Sequence, residues 1–316
     1  MIEVQNLTKQ YGARLAIDNI SFSINAGEVI GFLGPNGAGK TTTMNIMTGF
    51  ISATSGDVTI NGVDIVAEPE LAKANIGYMP DTPPVYGDMR VNEYLNFAAD
   101  IKNVRKHRKE MLTDIMRQVG IDDIGHRLIK NLSRGYRQRV GLAQAMVGAP
   151  KVIIMDEPTI GLDPKQIIEM RDVIKNLGKK HTVILSSHIM QEVSAVCDRM
   201  MIINKGKIVA TGTPETLSAG ITESNMLVRV KGETSKILSA LENTPIFTTK
   251  TIDGENESGT VDLILGGGEG VDIREAIFRC MASHDLPILL MKSTELSLEE
   301  IFLSLTGSNG SGGVNP

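Results

Sequence analysis

The stretch Gly34-Pro35-Asn36-Gly37-Ala38-Gly39-Lys40-Thr41-Thr42 constrains this chain more than any other. It fits the pattern G-x-x-x-x-G-K-[ST] through Gly34, Gly39, Lys40 and Thr41. The apolar run Val29 to Leu33 before it reads as a buried strand, and Thr43 to Met47 after it can continue as a helix. A glycine-rich loop lets successive backbone N–H groups turn toward one anion, and the helix that follows adds the positive end of its dipole. Such a loop cradles phosphate. Lys40 would reach the β- and γ-phosphates of a triphosphate as a compact cation, and the Thr41 hydroxyl would take one position on Mg²⁺, which prefers oxygen ligands.

With 316 residues the chain has room for two domains and a substantial core. Its formal net charge of −5 and the lack of a long Lys/Arg block argue against nucleic acid as a partner, because binding a phosphate backbone needs a concentrated basic face. Cys197 and Cys280 match no metal spacing and read as small buried hydrophobes in a reducing compartment. The first residues, Met1 to Gln5, lack the basic head and apolar run of a signal peptide. No uncharged apolar stretch approaches the roughly 18 residues of a spanning helix, so a membrane role would run through a partner.

Along the chain, Ile2 to Gly27 alternates apolar and polar residues, the period of half-buried antiparallel strands. Tyr11, alone among polar neighbours, is a candidate plate for stacking on a base. Asn61-Gly62 marks a hairpin within Val58 to Ile65. From Pro83 the strand signal gives way to helix-spaced apolar positions (Tyr94, Phe97, Ile101; Met111, Ile115, Val119), which predict an inserted helical subdomain over about 83–147. The charged run Lys102 to Lys109 reads there as a solvated face. Leu132-Ser133-Arg134-Gly135 precedes a helix predicted to open at Gln138, and a serine and a glycine at a helix start make a second corner for an anion. Val152 to Met155 is a strand buried on both faces that delivers Asp156 and Glu157 at its C-terminal edge, where open α/β sheets bind ligands. Asp156 would hold Mg²⁺, and Glu157 would activate the water that attacks a γ-phosphate. Thr182 to Ser186 repeats the pattern and ends at His188, which is placed to touch that phosphate. Gly161 to Pro164 turns the chain into an amphipathic helix, and Met200 to Ala210 reads as a hairpin around Lys205-Gly206.

Taken together, Tyr11, the phosphate loop, the helical insert, Leu132-Ser133-x-Gly135, Asp156-Glu157, Leu162-Asp163 and His188 resemble, in order, the nucleotide-binding subunit of an ATP-binding cassette (ABC) transporter over about residues 1–215. The nearest likeness is to export-type ATPases whose permease is a separate chain. The resemblance implies an α/β P-loop NTPase (RecA-like) core with an antiparallel β subdomain, with ATP and Mg²⁺ as cofactors. It also implies a homodimer facing head to tail, in which Ser133 and Gly135 reach the ATP bound on the other copy, and attachment through the permease to the cytoplasmic face of the cell membrane. The sequence departs from the family at Asp81, where an amide usually stands, and at Arg134 and Tyr136. As a carboxylate, Asp81 can ligate Mg²⁺ but cannot donate to a phosphate oxygen. The ATPase domain is expected over 1–220. Residues 221–306 follow in the order of a ferredoxin-like βαββαβ unit, closed by a helix at Leu298 to Leu305 and suited to dimerisation or regulation; the tail 307–316 reads as disordered.

Overall fold

The alternation near the N-terminus becomes two antiparallel strands, β1 (Ile2–Tyr11) and β2 (Arg14–Ile24), which bury Ile2, Val4, Leu7, Ile17, Ile20 and Ile24. The computed structural model describes residues 1–219 and, beyond them, 226–242, 247, 249–254, 257, 259–267, 272–293 and 302. It divides into two compact units, Met1–Pro214 and Glu215–Ser304.

In the first unit, β3 (Val29–Leu33) leads into α1 (Lys40–Met47), followed by the hairpin β4 (Ser55–Ile60) and β5 (Val63–Asp64) turning at Asn61 and Gly62. Next come α2 (Pro69–Ala74) and β6 (Ile76–Met79), then three helices, α3 (Val91–Ile101), α4 (Arg108–Gln118) and α5 (Arg134–Met146). The chain closes the unit with β7 (Val152–Met155), α6 (Pro164–Gly178), β8 (Thr182–Ser187), α7 (Met190–Ser194), β9 (Arg199–Asn204) and β10 (Lys207–Gly212). One sheet, ordered β2-β1-β4-β5, is antiparallel. The other runs β10-β9-β3-β8-β7-β6 and is parallel apart from β10. A single apolar core draws on both sheets and on Met44, Ile46 and Met47 of α1.

Two details of the helical insert depart from the sequence reading. The buried stripe of α3 is Val91, Tyr94, Leu95 and Ala98, spaced i, i+3, i+4, i+7 as a core-facing helix requires, so Phe97 and Ile101 fall outside it and are exposed. The charged run is also not simply solvated. Lys102 is half-buried, and its Nζ donates to the Val147 carbonyl at 2.8 Å, satisfying an oxygen at the C-terminal end of α5. Burial holds that ammonium's pKa below the ordinary lysine value. Arg108 in turn donates to the Asp100 carboxylate and the Asn96 carbonyl.

From the first unit's Pro214 the chain enters α8 (Pro214–Ala219), and the second unit continues as β11 (Met226–Lys231), α9 (Thr234–Glu242), β12 (Thr249–Gly254), β13 (Thr260–Gly266), α10 (Arg274–Ser283) and β14 (Ile288–Ser293). The strands pair antiparallel in the order β12-β13-β11-β14, the ferredoxin-like arrangement. The expected boundary at 220 and 221, the closing helix apart from residue 302, and the tail lie outside the described residues.

Arg199 ties three strand ends of the first unit together, donating to Glu28 Oε1 at 2.7 Å and to the Ser23 carbonyl at 2.7 Å. Burial of Glu28 opposes its ionisation, but the hydrogen bond from Arg199, that from Asn25 N–H and the guanidinium charge outweigh it, holding the carboxyl below its ordinary 4.5. The stabilisation is therefore complete above pH 4.5 and is lost as pH falls through the lower folded-state value. Glu28→Gln is expected to cost about 2 kcal/mol at pH 7, with the gap to wild type closing in acid. Denaturant unfolding across pH measures both; a gap independent of pH would contradict the assignment.

Candidate active site

Strands β3, β8, β7 and β6 lie side by side and parallel, so their C-terminal ends reach one edge of the sheet. Each end carries part of the chemistry: the phosphate loop after β3, His188 after β8, Asp156 and Glu157 after β7, and Asp81 after β6. A cavity of about 620 Å³ opens there. Asn36, Gly37, Gly39, Lys40, Thr41 and Thr42 line it together with Asp81, Asp156, Glu157 and His188. Tyr11, from the end of β1, lines it as well.

The loop is built for close approach. A Cβ on Gly34 would stand 2.3 Å from the Ile203 carbonyl oxygen, so only glycine lets β3 turn here against β9. Gly39, at φ 113°, is in a region that side chains disfavour, and its carbonyl accepts from Thr43 Oγ1 at 2.9 Å to start α1. Pro35 accepts from Ala38 N at 3.2 Å, and the Ala38 carbonyl accepts from Gly206 N at 2.9 Å, anchoring the loop to the β9–β10 turn. Lys40 is only 6% exposed; its Nζ donates to the Gly34 carbonyl at 2.7 Å and lies 3.5 Å from Glu157 Oε1. On its other oxygen, Glu157 meets His188 Nδ1 at 3.0 Å. Lysine, glutamate and histidine thus stand in line at the head of the cavity.

Asp156, 2% exposed, accepts from Ser186 Oγ, and that same hydroxyl accepts from Glu157 N at 2.9 Å. One serine therefore orients both acids. Tyr78 of β6 donates to Asn45 Oδ1 on α1 at 3.1 Å; burial, then the charges of Asp156 and Asp81, push its phenol above the ordinary tyrosine value and keep it a donor. Asp81 Oδ1 accepts from Thr82 N at 2.6 Å, while its carbonyl accepts from Gln138 Nε2 at 2.9 Å.

The ABC transporter family profile matches residues 17–160 of the chain. Over nearly its whole length the chain is similar to a Bacillus subtilis (strain 168) ABC transporter ATP-binding protein, YhcH, at 36% identity across 97% of this chain and 96% of that protein. The chain belongs to the ABC transporter ATP-binding family. It is also 30% identical to the linearmycin resistance ATP-binding protein LnrL of the same organism, across 97% of this chain and 98% of that one. A solved ATP-binding subunit of an ABC transporter superposes with a TM-score of 0.64 at 27% identity, covering 70% of this chain and 92% of the other. The protein is accordingly an ATPase that binds and hydrolyses ATP.

Five predicted residues of this ABC ATPase do not line the cavity of their own chain. Gly34, Pro35 and Ala38 belong to the phosphate loop itself, whereas Ser133 and Gly135 stand apart from it at the start of α5. The helix α5 opens at Arg134, earlier than the predicted Gln138, because Ser133 caps it by accepting from Tyr136 N at 3.4 Å. Ser133 is exposed, while the place a Cβ on Gly135 would take is filled by the Gln166 amide. Arg14, Ala16 and Ile160 line the cavity but were missed in the sequence, where nothing in their type or spacing sets them apart. Ser186 had a signal: a serine at the end of a strand beside one that ends in two acids.

Lys40→Ala should weaken ATP binding by roughly 30- to 150-fold, the worth of a charge-assisted contact of about 2–3 kcal/mol. A titration with labelled ATP measures it; unchanged affinity would take Lys40 out of the phosphate site.

Proposed function

We propose that this ABC ATPase closes as a homodimer on two ATP molecules and so drives a separate membrane permease in export. The observation that carries the reading is the division of its motifs: Lys40, Asp156, Glu157 and His188 share one cavity, whereas the exposed Ser133 lies outside it at a helix start, a place that favours an anion. In this reading Ser133 and Gly135 meet the γ-phosphate held by the other copy, so each site is complete only in the dimer.

Within one site, the backbone of Gly34 to Gly39 and the Lys40 ammonium bind the β- and γ-phosphates, with Thr42 alongside, and Tyr11 takes the adenine face. Glu157 accepts a proton from the attacking water, and His188, held against Glu157, steadies the γ-phosphate. Thr41, Asp156 and Asp81 offer oxygen ligands in the same cavity, the donor set that suits Mg²⁺. When bound, that ion neutralises charge on the phosphates.

The permease reading rests on the helical insert. Phe97 (37% exposed) and Tyr86 (56% exposed) meet edge to face at 5.7 Å between ring centroids, an aromatic surface suited to a partner. No helix among the described residues is long and apolar enough to cross a membrane; in this reading the partner holds the protein at the cytoplasmic face of one. Export is favoured by the likeness to LnrL, whose name records linearmycin resistance. Residues 1–220 serve as the ATPase in this account and 221–306 as an accessory dimerisation or regulatory domain.

Glu157→Gln removes the proton acceptor and keeps the shape of the side chain. Turnover should fall by roughly 10²- to 10⁴-fold while ATP affinity holds, as steady-state ATPase assays and nucleotide titration would record. Normal turnover in that variant would dismiss Glu157 as the base.

A further inference from the structure

Behind the cavity lies a second buried carboxylate, which takes no part in the chemistry described so far. Glu192 on α7 is 6% exposed, does not line the cavity, and accepts two hydroxyls on one oxygen: Thr159 Oγ1, and Ser187 Oγ at 3.0 Å. Burying a carboxylate is costly unless donors meet it, and here both donors come from the loops that carry the reacting groups. Thr159 follows Glu157 by two residues, and Ser187 directly precedes His188.

The two serines that end β8 divide the work. Successive side chains of a strand point to opposite faces. Ser186 reaches Asp156 and Glu157 N, while Ser187 reaches Glu192 and accepts from Ile189 N at 3.1 Å. The turn after β7 is therefore pinned to the end of β8 on one face by Ser186 and on the other through Glu192. The turn needs such support: Glu157 sits at φ 48°, a left-handed conformation that a residue other than glycine keeps only where its surroundings over-determine it. The bond between Glu157 Oε2 and His188 Nδ1 spans the same two loops, so it holds only while they stay in register.

We propose that Glu192 is a positioning residue for ATP hydrolysis, clamping the turns of Glu157 and His188 together through Thr159 and Ser187. The inference rests on the reading that Glu157 and His188 act at the γ-phosphate. Because the clamp touches no nucleotide, its loss should lower kcat and leave the KM for ATP alone.

Thr159→Val, an isostere lacking the hydroxyl, is expected to lower kcat roughly 10-fold with KM within about two-fold, since small misplacements at a reacting centre are costly. Glu192→Ala should lower kcat at least as far, and adding Thr159→Val to it should cost nothing further. Glu192→Gln, whose amide oxygen still accepts both hydroxyls, should recover most of the rate. If Glu192→Ala fails to fold, Thr159→Val and Ser187→Ala decide the matter. Wild-type kcat in Thr159→Val, or full additivity in the double variant, would overturn the clamp. Normal turnover in Glu157→Gln would instead remove the reading beneath it, a distinguishable failure.

Discussion

The parallel register of β3, β8, β7 and β6 is the constraint on which the site depends. Leu33 pairs with Ser187, Met155 with Leu185 and Met79 with Met155, so the strands stop within a residue or two of one another. Parallel strands need crossover connections, and here α1, the helical insert, α6 and the antiparallel sheet supply them. The consequence is convergence. Groups far apart in sequence, such as Lys40 and Glu157, come to stand 3.5 Å apart because their strands end at the same edge. Strand register is strongly fixed where both faces are buried, as they are for β3, β7 and β8, so the fold pre-organises these groups before any nucleotide arrives.

Pre-organisation in one chain still leaves the proposed site unfinished. The cavity gathers cation, acids and histidine from the sheet edge, yet the helix start at Ser133 opens elsewhere on the same unit. The proposed head-to-tail homodimer would reconcile the two, because each copy would then bring the half the other lacks. In that arrangement association and chemistry are coupled through the γ-phosphate, and its hydrolysis releases the contact. The hydrogen bond from Gln138 of α5 to the Asp81 carbonyl offers a physical link between the two halves within one chain.

Much of this was legible in the sequence for a physical reason. Buried parallel strands read as unbroken apolar runs, and the residues after those runs must lie at the sheet edge, so Val29 to Leu33, Val152 to Met155 and Thr182 to Ser186 located the phosphate loop, the acids and His188. Patterns with less contrast were misread. The apolar stripe of α3 was set one step off because Phe97 has the right spacing from Tyr94 but belongs to an exposed aromatic surface. Nothing in the sequence marks Lys102 as tied down, because its partner, the Val147 carbonyl, is a backbone group that no side-chain pattern announces. Arg14 and Ile160 join the cavity only through the path of the chain, and Glu192 gives no sequence signal beyond being one acid on a short helix.

The central claim, that each site is shared between two copies, is tested most directly by mixing two defective chains. Lys40→Ala spoils the phosphate loop, while Ser133→Asp keeps the helix cap but sets a negative charge where the γ-phosphate should meet the other copy. Each alone should be inactive, yet a mixed dimer restores one site that combines an intact Lys40 with an intact Ser133. Roughly a quarter of wild-type ATPase activity is expected from an equal mixture, since half the dimers are mixed and each has one working site. A mixture no more active than its components would contradict the account.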